Sequence, residues 1–398
     1  MGNKADEKNE NKLSKSVNFR QYGLIIALIF IYIVFTFLTE GKIITSMNIN
    51  NLVMQNSYIV ILAIGMLLCL LVGAIDLSVG SVVAIVSSLT GWMIVVKGLS
   101  IQITIVSGIA LGILIGVLQG LFIAYLKIPA FIVTLAGMLI FRGLALIILK
   151  SQTVGPLPPE FVTIGAGFIP QWFIQTNGKQ IDVITLIGGI CVSIILIFFE
   201  MSNRKKKKKH NIPVEKFWQI GLKLAITIVI LNFITYKLAN HNGMPIVLVI
   251  LSVLILVYSF VTQRTVGGRH IYAVGGNPNA ARLSGIMNEK VILWVFINMG
   301  FLCSLAGIIL TARNASATPR AGDGFELDAI ASCFIGGTST TGGIGTISGI
   351  VVGALIMGVI NNGMSLMGVS TEWQRVIKGL VLIGAVTFDM YNKKRKTI

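Results

Sequence analysis

Apolar residues fall in long blocks along this chain, separated by short polar segments. The first block covers roughly residues 24–38. Others follow at 53–72, 77–96, 101–126, 131–150, 181–199, 217–238, 245–262, 291–311, 326–340, 345–367 and 375–391. A helix rises about 1.5 Å per residue and the hydrocarbon of a bilayer is about 30 Å thick, so about 20 apolar residues cross it. The pattern predicts an all-α polytopic membrane protein with about twelve transmembrane helices. The stretch 326–340 carries Glu326, Asp328, Gly336 and Gly337, which predicts a partial or re-entrant helix there. The first block ends in Thr39-Glu40-Gly41-Lys42, not in a small-x-small cleavage signal, and reads as an uncleaved span.

The polar segments supply an orientation. Lys4, Lys8, Lys12, Lys15 and Arg20 precede the first block. Arg204–Lys209 form a basic loop in the middle, Arg264, Arg269, Arg282 and Lys290 share a second loop, and Lys393–Lys396 close the chain. Six spans precede the polylysine loop, two separate it from the second, and four lead to the tail. Every interval is even, so all four basic regions fall on one side, as the positive-inside rule requires. The expected organisation is a cytoplasmic tail at 1–21, a transmembrane domain at 22–392 and a basic cytoplasmic tail at 393–398. The opposite side holds one long loop, Ser151–Gln180, whose Trp172 and Phe173 suit a membrane–water boundary; a lid or docking surface is the alternative.

Composition agrees with lipid as the main solvent. Of the 398 residues 55% are hydrophobic and 12% charged, about half the charge of a water-facing domain. The net charge of +17 would suit nucleic acid, but each basic cluster abuts a span and none interleaves aromatics, so membrane lipid is the expected partner and nucleic acid is not. The lysine run can also touch anionic headgroups. Cys69, Cys191, Cys303 and Cys333 lack CxxC spacing, and His210, His241 and His270 are isolated, so neither disulfide nor metal site is expected.

Candidate chemistry is sparse. Gly112, Gly116 and Gly120 recur every fourth residue, as do Gly349 and Gly353, marking faces where helices approach closely. Asp76 lies between two apolar runs, where it either caps the helix beginning near Leu77 or takes part in gating or the transport path. The segment from Gly275 to Gly285 reads as a short delimited helix, with Asn277 at the N-cap, Pro278 at the first position and Gly285 at a left-handed exit. Two turns of helix are marginal in water, so this one packs either on its own membrane domain or on a partner. The glycine-rich stretch 322–349 is followed by no GKS or GKT, so the chain has no Walker A site.

Four stretches together carry a resemblance: GAIDLSVG from Gly73, PAFIVTLAGMLIFRG from Pro129, YAVGGNPNAARLSGI from Tyr272, and the run from Glu326 through MGVS. Over about residues 20–392 the chain resembles the permease subunits of bacterial monosaccharide ABC importers, the ribose, galactose, arabinose and xylose permease family, and the xylose branch most. The resemblance implies a permease of the bacterial cell membrane that imports a monosaccharide, xylose first. Its ribose-type members have ten spans, which makes 181–243 a two-span insertion. It further implies a homodimer with the path at its interface, an extracytoplasmic sugar-binding protein, and a sugar-transport ATPase that holds ATP and Mg, with no cofactor on this chain. The loop 264–290 then becomes the coupling loop, and Gly275, Gly276, Asn277, Pro278, Ala280, Ala281, Arg282, Leu283, Ser284 and Gly285 the residues that dock on the ATPase. Asn361, Asn362 and Trp373 are candidates for the path with Asp76; ordinary interhelical hydrogen bonding is the alternative for the asparagines. The rival readings are an importer of ribose, arabinose or galactose, and a proton-coupled carrier, which needs buried ionisable groups in a relay. A membrane-embedded enzyme lacks its signatures here.

Overall fold

The computed structural model describes residues 23–176, 179–209 and 217–397. The tail at 1–21 and His210 lie outside the described residues. In chain order the helices are α1 (Gly23–Leu38), α2 (Ser46–Leu71), α3 (Val79–Gly91, continued by a π turn Trp92–Val96), α4 (Ile101–Ala124), α5 (Ala130–Ile148) and α6 (Pro159–Ala166). A hairpin of β1 (Phe173–Thr176) and β2 (Lys179–Asp182) follows. Then come α7 (Val183–Lys209), α8 (Phe217–Ala239), α9 (Ile246–Arg264), α10 (Val266–Gly276), α11 (Pro278–Leu283), α12 (Asn288–Arg313), α13 (Phe325–Ile335), α14 (Ile347–Leu366) and α15 (Thr371–Thr397).

Among the described residues, eight helices are long and apolar enough to cross a membrane: α2, α3, α4, α5, α7, α9, α12 and α14. α1 and the Leu224–Ala239 part of α8 are shorter apolar helices. Two predicted spans remain, and the first is the partial helix expected at 326–340. α13 has only 11 residues, about 16 Å of rise, and the chain continues through the glycine-rich loop 336–346 before α14 begins. α15 carries Glu372, Arg375 and Lys378 near its start and runs on through the basic tail.

The lysine run also departs from the loop predicted for it. α7 continues unbroken to Lys209, because Arg and Lys are good helix formers and cations suit a helix C-terminus. The long polar segment after α5 is folded as well. Val154 and Ala317 exchange backbone hydrogen bonds of 2.9 and 2.8 Å, and Phe168 pairs with Pro245. In the hairpin, Phe173 faces Asp182 and Ile174 faces Ile181. Asp182 accepts from the Trp172 and Thr185 amides at 2.9 and 3.2 Å, which closes the hairpin onto the α7 N-terminus.

The bundle has an inner and an outer layer. The apolar windows of α2 and α3 are each 78% buried, whereas those of α5 and α7 are 17% and 18% buried. Lipid gives helices little hydrophobic reason to associate, so the layers are held by close packing. Gly112 and Gly116 of α4 lie on the backbone of α12, at Gly300 and Phe296, and Gly349 and Gly353 of α14 lie on Gly336 and Ser332 at the end of α13. Both glycine faces read from the sequence are therefore helix contacts. Cys69, Cys303 and Cys333 are buried packing residues, but Cys191 is exposed on α7.

Gly300 and Gly143 make a direct comparison. An added methyl at Gly300 would collide with the Gly112 carbonyl, whereas one at Gly143 meets open space. Gly300→Ala is expected to lower the thermal midpoint of the detergent-solubilised chain, followed by fluorescence size-exclusion. Gly143→Ala should leave it unchanged or raise it, since alanine is favoured over glycine in a helix by about 1 kcal/mol.

Candidate functional site

The segment predicted to be a delimited helix is one. The Asn277 side chain accepts from the Asn279 and Ala280 amides, both at 3.0 Å, and Pro278 occupies the first turn. At the other end Gly285 has φ +84, and the Ile286 amide donates to the Ala281 carbonyl at 3.0 Å. Asn288 Nδ2 donates to Pro278 O at 2.9 Å, tying the helix to the start of α12. Of the α11 side chains only Ala281 is buried, and Leu283 is 91% exposed. Arg282 is also exposed, 3.8 Å from Glu289.

α10 holds this helix on the bundle. Its Ile271 and Val274 are buried, and the Tyr272 hydroxyl donates to Gly345 O at 2.6 Å. Gly275 lies against the Leu71 carbonyl with no room for a side chain, and Gly276 lies against Gly343. The Gly343 amide in turn donates to Leu71 O at 2.9 Å. Three interruptions of helix, at the ends of α2 and α10 and between α13 and α14, thus meet in one junction.

A second region lies where α2, α12, α13, α14 and α15 converge. It is a cavity of about 240 Å³ whose polar lining is Gln55, Asn56, Tyr58, Arg313, Asp328, Asn361, Ser365, Gln374 and Lys378. Asp328 sits in the first turns of α13 with 3% of its side chain exposed, and Lys378 Nζ lies 2.9 Å from its Oδ2. Asn361 Nδ2 reaches the same oxygen at 3.5 Å. Tyr58 and Phe325 stack at 4.7 Å between centroids and form a flat wall. Asp328 thus lies near a helix end and is buried all the same, because that end of α13 is inside the bundle.

The predicted path residues separate. Asn361 lines the cavity. Asn362 instead exchanges side-chain hydrogen bonds of 2.9 and 3.0 Å with Asn48 of α2, the interhelical bonding held open as its alternative. Trp373 is 65% exposed and outside the lining, while Gln374 and Lys378 of the same helix are within it. Asp76 is buried elsewhere. Its Oδ1 accepts from the Ser78 amide and hydroxyl at 2.8 and 2.7 Å, and Gln119 Nε2 donates to that hydroxyl at 2.8 Å. Ser78 is the residue before α3 but its side chain makes no capping bond, and Asp76, two residues upstream, accepts the free Ser78 amide, as the capping alternative expected.

The fold is that of a polytopic α-helical membrane protein with a mounted surface helix at one end of its bundle and a half-open polar cavity among α2 and α12–α15. The chain belongs to the permease family described as "Branched-chain amino acid transport system / permease component", whose model matches residues 48–386. It is similar to the xylose transport system permease proteins of Haemophilus influenzae, 38% identical over 96% of this chain and 99% of that one, and of Escherichia coli K12, 37% identical over 96% and 94%. The ribose import permease protein of Escherichia coli K12 is 33% identical over 96% of each chain. No solved structure matches it.

The Asp328–Lys378 pair makes the cavity a stability element too. Removing one partner of a buried pair leaves a charge without compensation, at about 3–5 kcal/mol, while replacing both with apolar residues is often neutral. Lys378→Met alone should lower the thermal midpoint sharply, and Asp328→Leu/Lys378→Met should recover most of the loss.

Proposed function

We propose that this chain is the membrane-spanning permease subunit of an ATP-driven monosaccharide importer, with xylose the first sugar to test and ribose the second. The observation that carries this reading is the similarity to xylose transport permeases over 96% of the chain. The family description names branched-chain amino acids, and uptake of valine or leucine is therefore the control substrate set.

In this reading α11 is the handle on which a separate ATPase acts. A six-residue helix with one buried side chain and a leucine 91% exposed is unstable packing for an isolated surface, but suits a groove on a partner. Closure of the ATPase pair around ATP and Mg favours one packing of the spans and hydrolysis releases the other. The basic ends of α7 and α9 and the α10–α11 segment face the cytoplasm with both termini, following the positive-inside rule. The cavity end then faces outward, toward an extracytoplasmic sugar-binding protein. A second copy of the chain completes the translocation path in a homodimer. A proton-coupled carrier would also use a buried pair such as Asp328 and Lys378, and uptake that survives deletion of the ATPase would select it.

Uptake of labelled xylose, ribose and leucine by cells carrying the assembled importer tests the substrate class. For the handle, Leu283→Asp should cut sugar uptake at least ~10-fold, about 1.4 kcal/mol, at unchanged chain abundance. Arg282→Cys, with the four native cysteines replaced, should crosslink to the ATPase in a nucleotide-sensitive way. Normal uptake by the Leu283 variant together with no crosslink would return α11 to a packing role.

A further inference from the structure

α7 is longer than the hydrocarbon it crosses. Its apolar window, Val183–Ser202, has 20 residues, and these rise about 30 Å, the thickness of the hydrocarbon. The helix then continues unbroken to Lys209, about 10 Å of further rise against a headgroup layer about 5–8 Å deep. The basic run Arg204–Lys209 is thereby carried through the layer where phospholipid phosphates lie.

The apolar part of α7 has two different faces. On one, Gly189 lies against Thr235, and Ser193 Oγ accepts from Asn232 Nδ2 at 2.9 Å, so α8 covers it. On the other, Ile194, Ile197, Phe198, Met201, Ser202 and Lys205 share one helix face and line a half-open groove of about 400 Å³. The four apolar side chains are exposed. The groove ends at the Ser202 hydroxyl and the exposed Lys205 ammonium. Glu200, the one acid of α7, precedes Arg204 by four residues, the spacing of an ion pair within a helix. The helix's own counter-charge is therefore spaced for Arg204 and not for Lys205.

An apolar stripe at hydrocarbon depth with a cation at its mouth fits a long apolar chain joined to an anionic head. An acidic peptide or a nucleic acid would meet the lysines from water, but neither would lie along the stripe. An anionic phospholipid matches both halves, with its acyl chain along Ile194, Phe198 and Met201 and its phosphate at Ser202 and Lys205.

We propose that α7 carries a binding site for one anionic phospholipid, its phosphate held by Lys205 and Ser202 and its chain by the stripe from Ile194 to Met201. The bound lipid holds the basic end of the α7–α8 pair at the membrane surface, while α8 is the helix of the pair that packs on α2. The site requires only that α7 spans the membrane and is independent of the cargo.

The test titrates the purified full chain in detergent with phosphatidylglycerol and, separately, with phosphatidylcholine, and reads bound lipid by native mass spectrometry. Phosphatidylglycerol is expected to bind at least ~10-fold more tightly, because phosphatidylcholine carries no net charge. Lys205→Gln should weaken that binding at least ~5-fold, the effect of one cation at an anionic surface, and Lys205→Arg should keep it. Lys208→Gln removes the same charge outside the groove lining and should cost at most ~2-fold, since exposed charges out of contact are screened. Glutamine and lysine have similar helix propensity, and thermal midpoints of all variants separate lost folding from lost binding. Excess glycerophosphate, the head without its chains, should not displace the lipid. Equal affinity for the two lipids would leave no recognition of charge. Equal losses from Lys205→Gln and Lys208→Gln would mean a diffuse field and no site, and displacement by glycerophosphate would mean a phosphate site open to water. Each of the three overturns the proposal.

Discussion

Hydrocarbon offers no hydrogen-bond partner, so every place where a helix of this bundle breaks must be closed by the protein itself. The rest of the structure follows from how that is done. Leu71, at the end of α2, receives the Gly343 amide from a loop far along the chain. On the other side of the bundle, Arg142 of α5 gives its guanidinium to the carbonyls of Pro319 and Ala321 at 3.1 and 2.8 Å, fixing the segment between α12 and α13. With both flanks of α13 held this way, a helix too short to span can enter the bundle and carry a carboxylate into it.

The features legible in the sequence are those determined locally. Span positions follow from hydropathy, and the ends of α11 follow from Asn277, Pro278 and Gly285, whose roles depend only on near neighbours. The glycine faces were legible as contacts, because in lipid a small residue repeated every fourth position has few other uses. What they touch was not: nothing in Gly112 or Gly116 names Phe296 or Gly300.

The cavity was legible only in part, for the same reason. Asn361 stands out as a polar residue in an apolar run, but so does its neighbour Asn362, and the 100° between successive residues sends one to the cavity and the other to Asn48. Lys378 reads as a polar residue at the start of a span, and its partner Asp328 is 50 residues away. Gln55, Asn56 and Tyr58 lie on a helix whose composition shows only that it is polar near one end. Trp373 offers a path an aromatic face, yet Gln374 and Lys378 of the same helix line the cavity and it does not. The signal that could have found the site is a spacing of polar residues along α14 and α15, Asn361 with Ser365 and Gln374 with Lys378, each pair four apart and so on one helix face.

The brevity of α13 has a mechanical meaning. One end carries Asp328 beside the cavity, and the other runs into the loop bonded to Leu71 and Tyr272. If α10 moves against the end of α2, either the Gly343 bond breaks or the loop travels with it. About 16 Å of continuous helix has few joints in which such a displacement could be absorbed. A segment too short to anchor in a membrane is, by the same measure, a stiff strut between the surface on which force arrives and the chamber it would open.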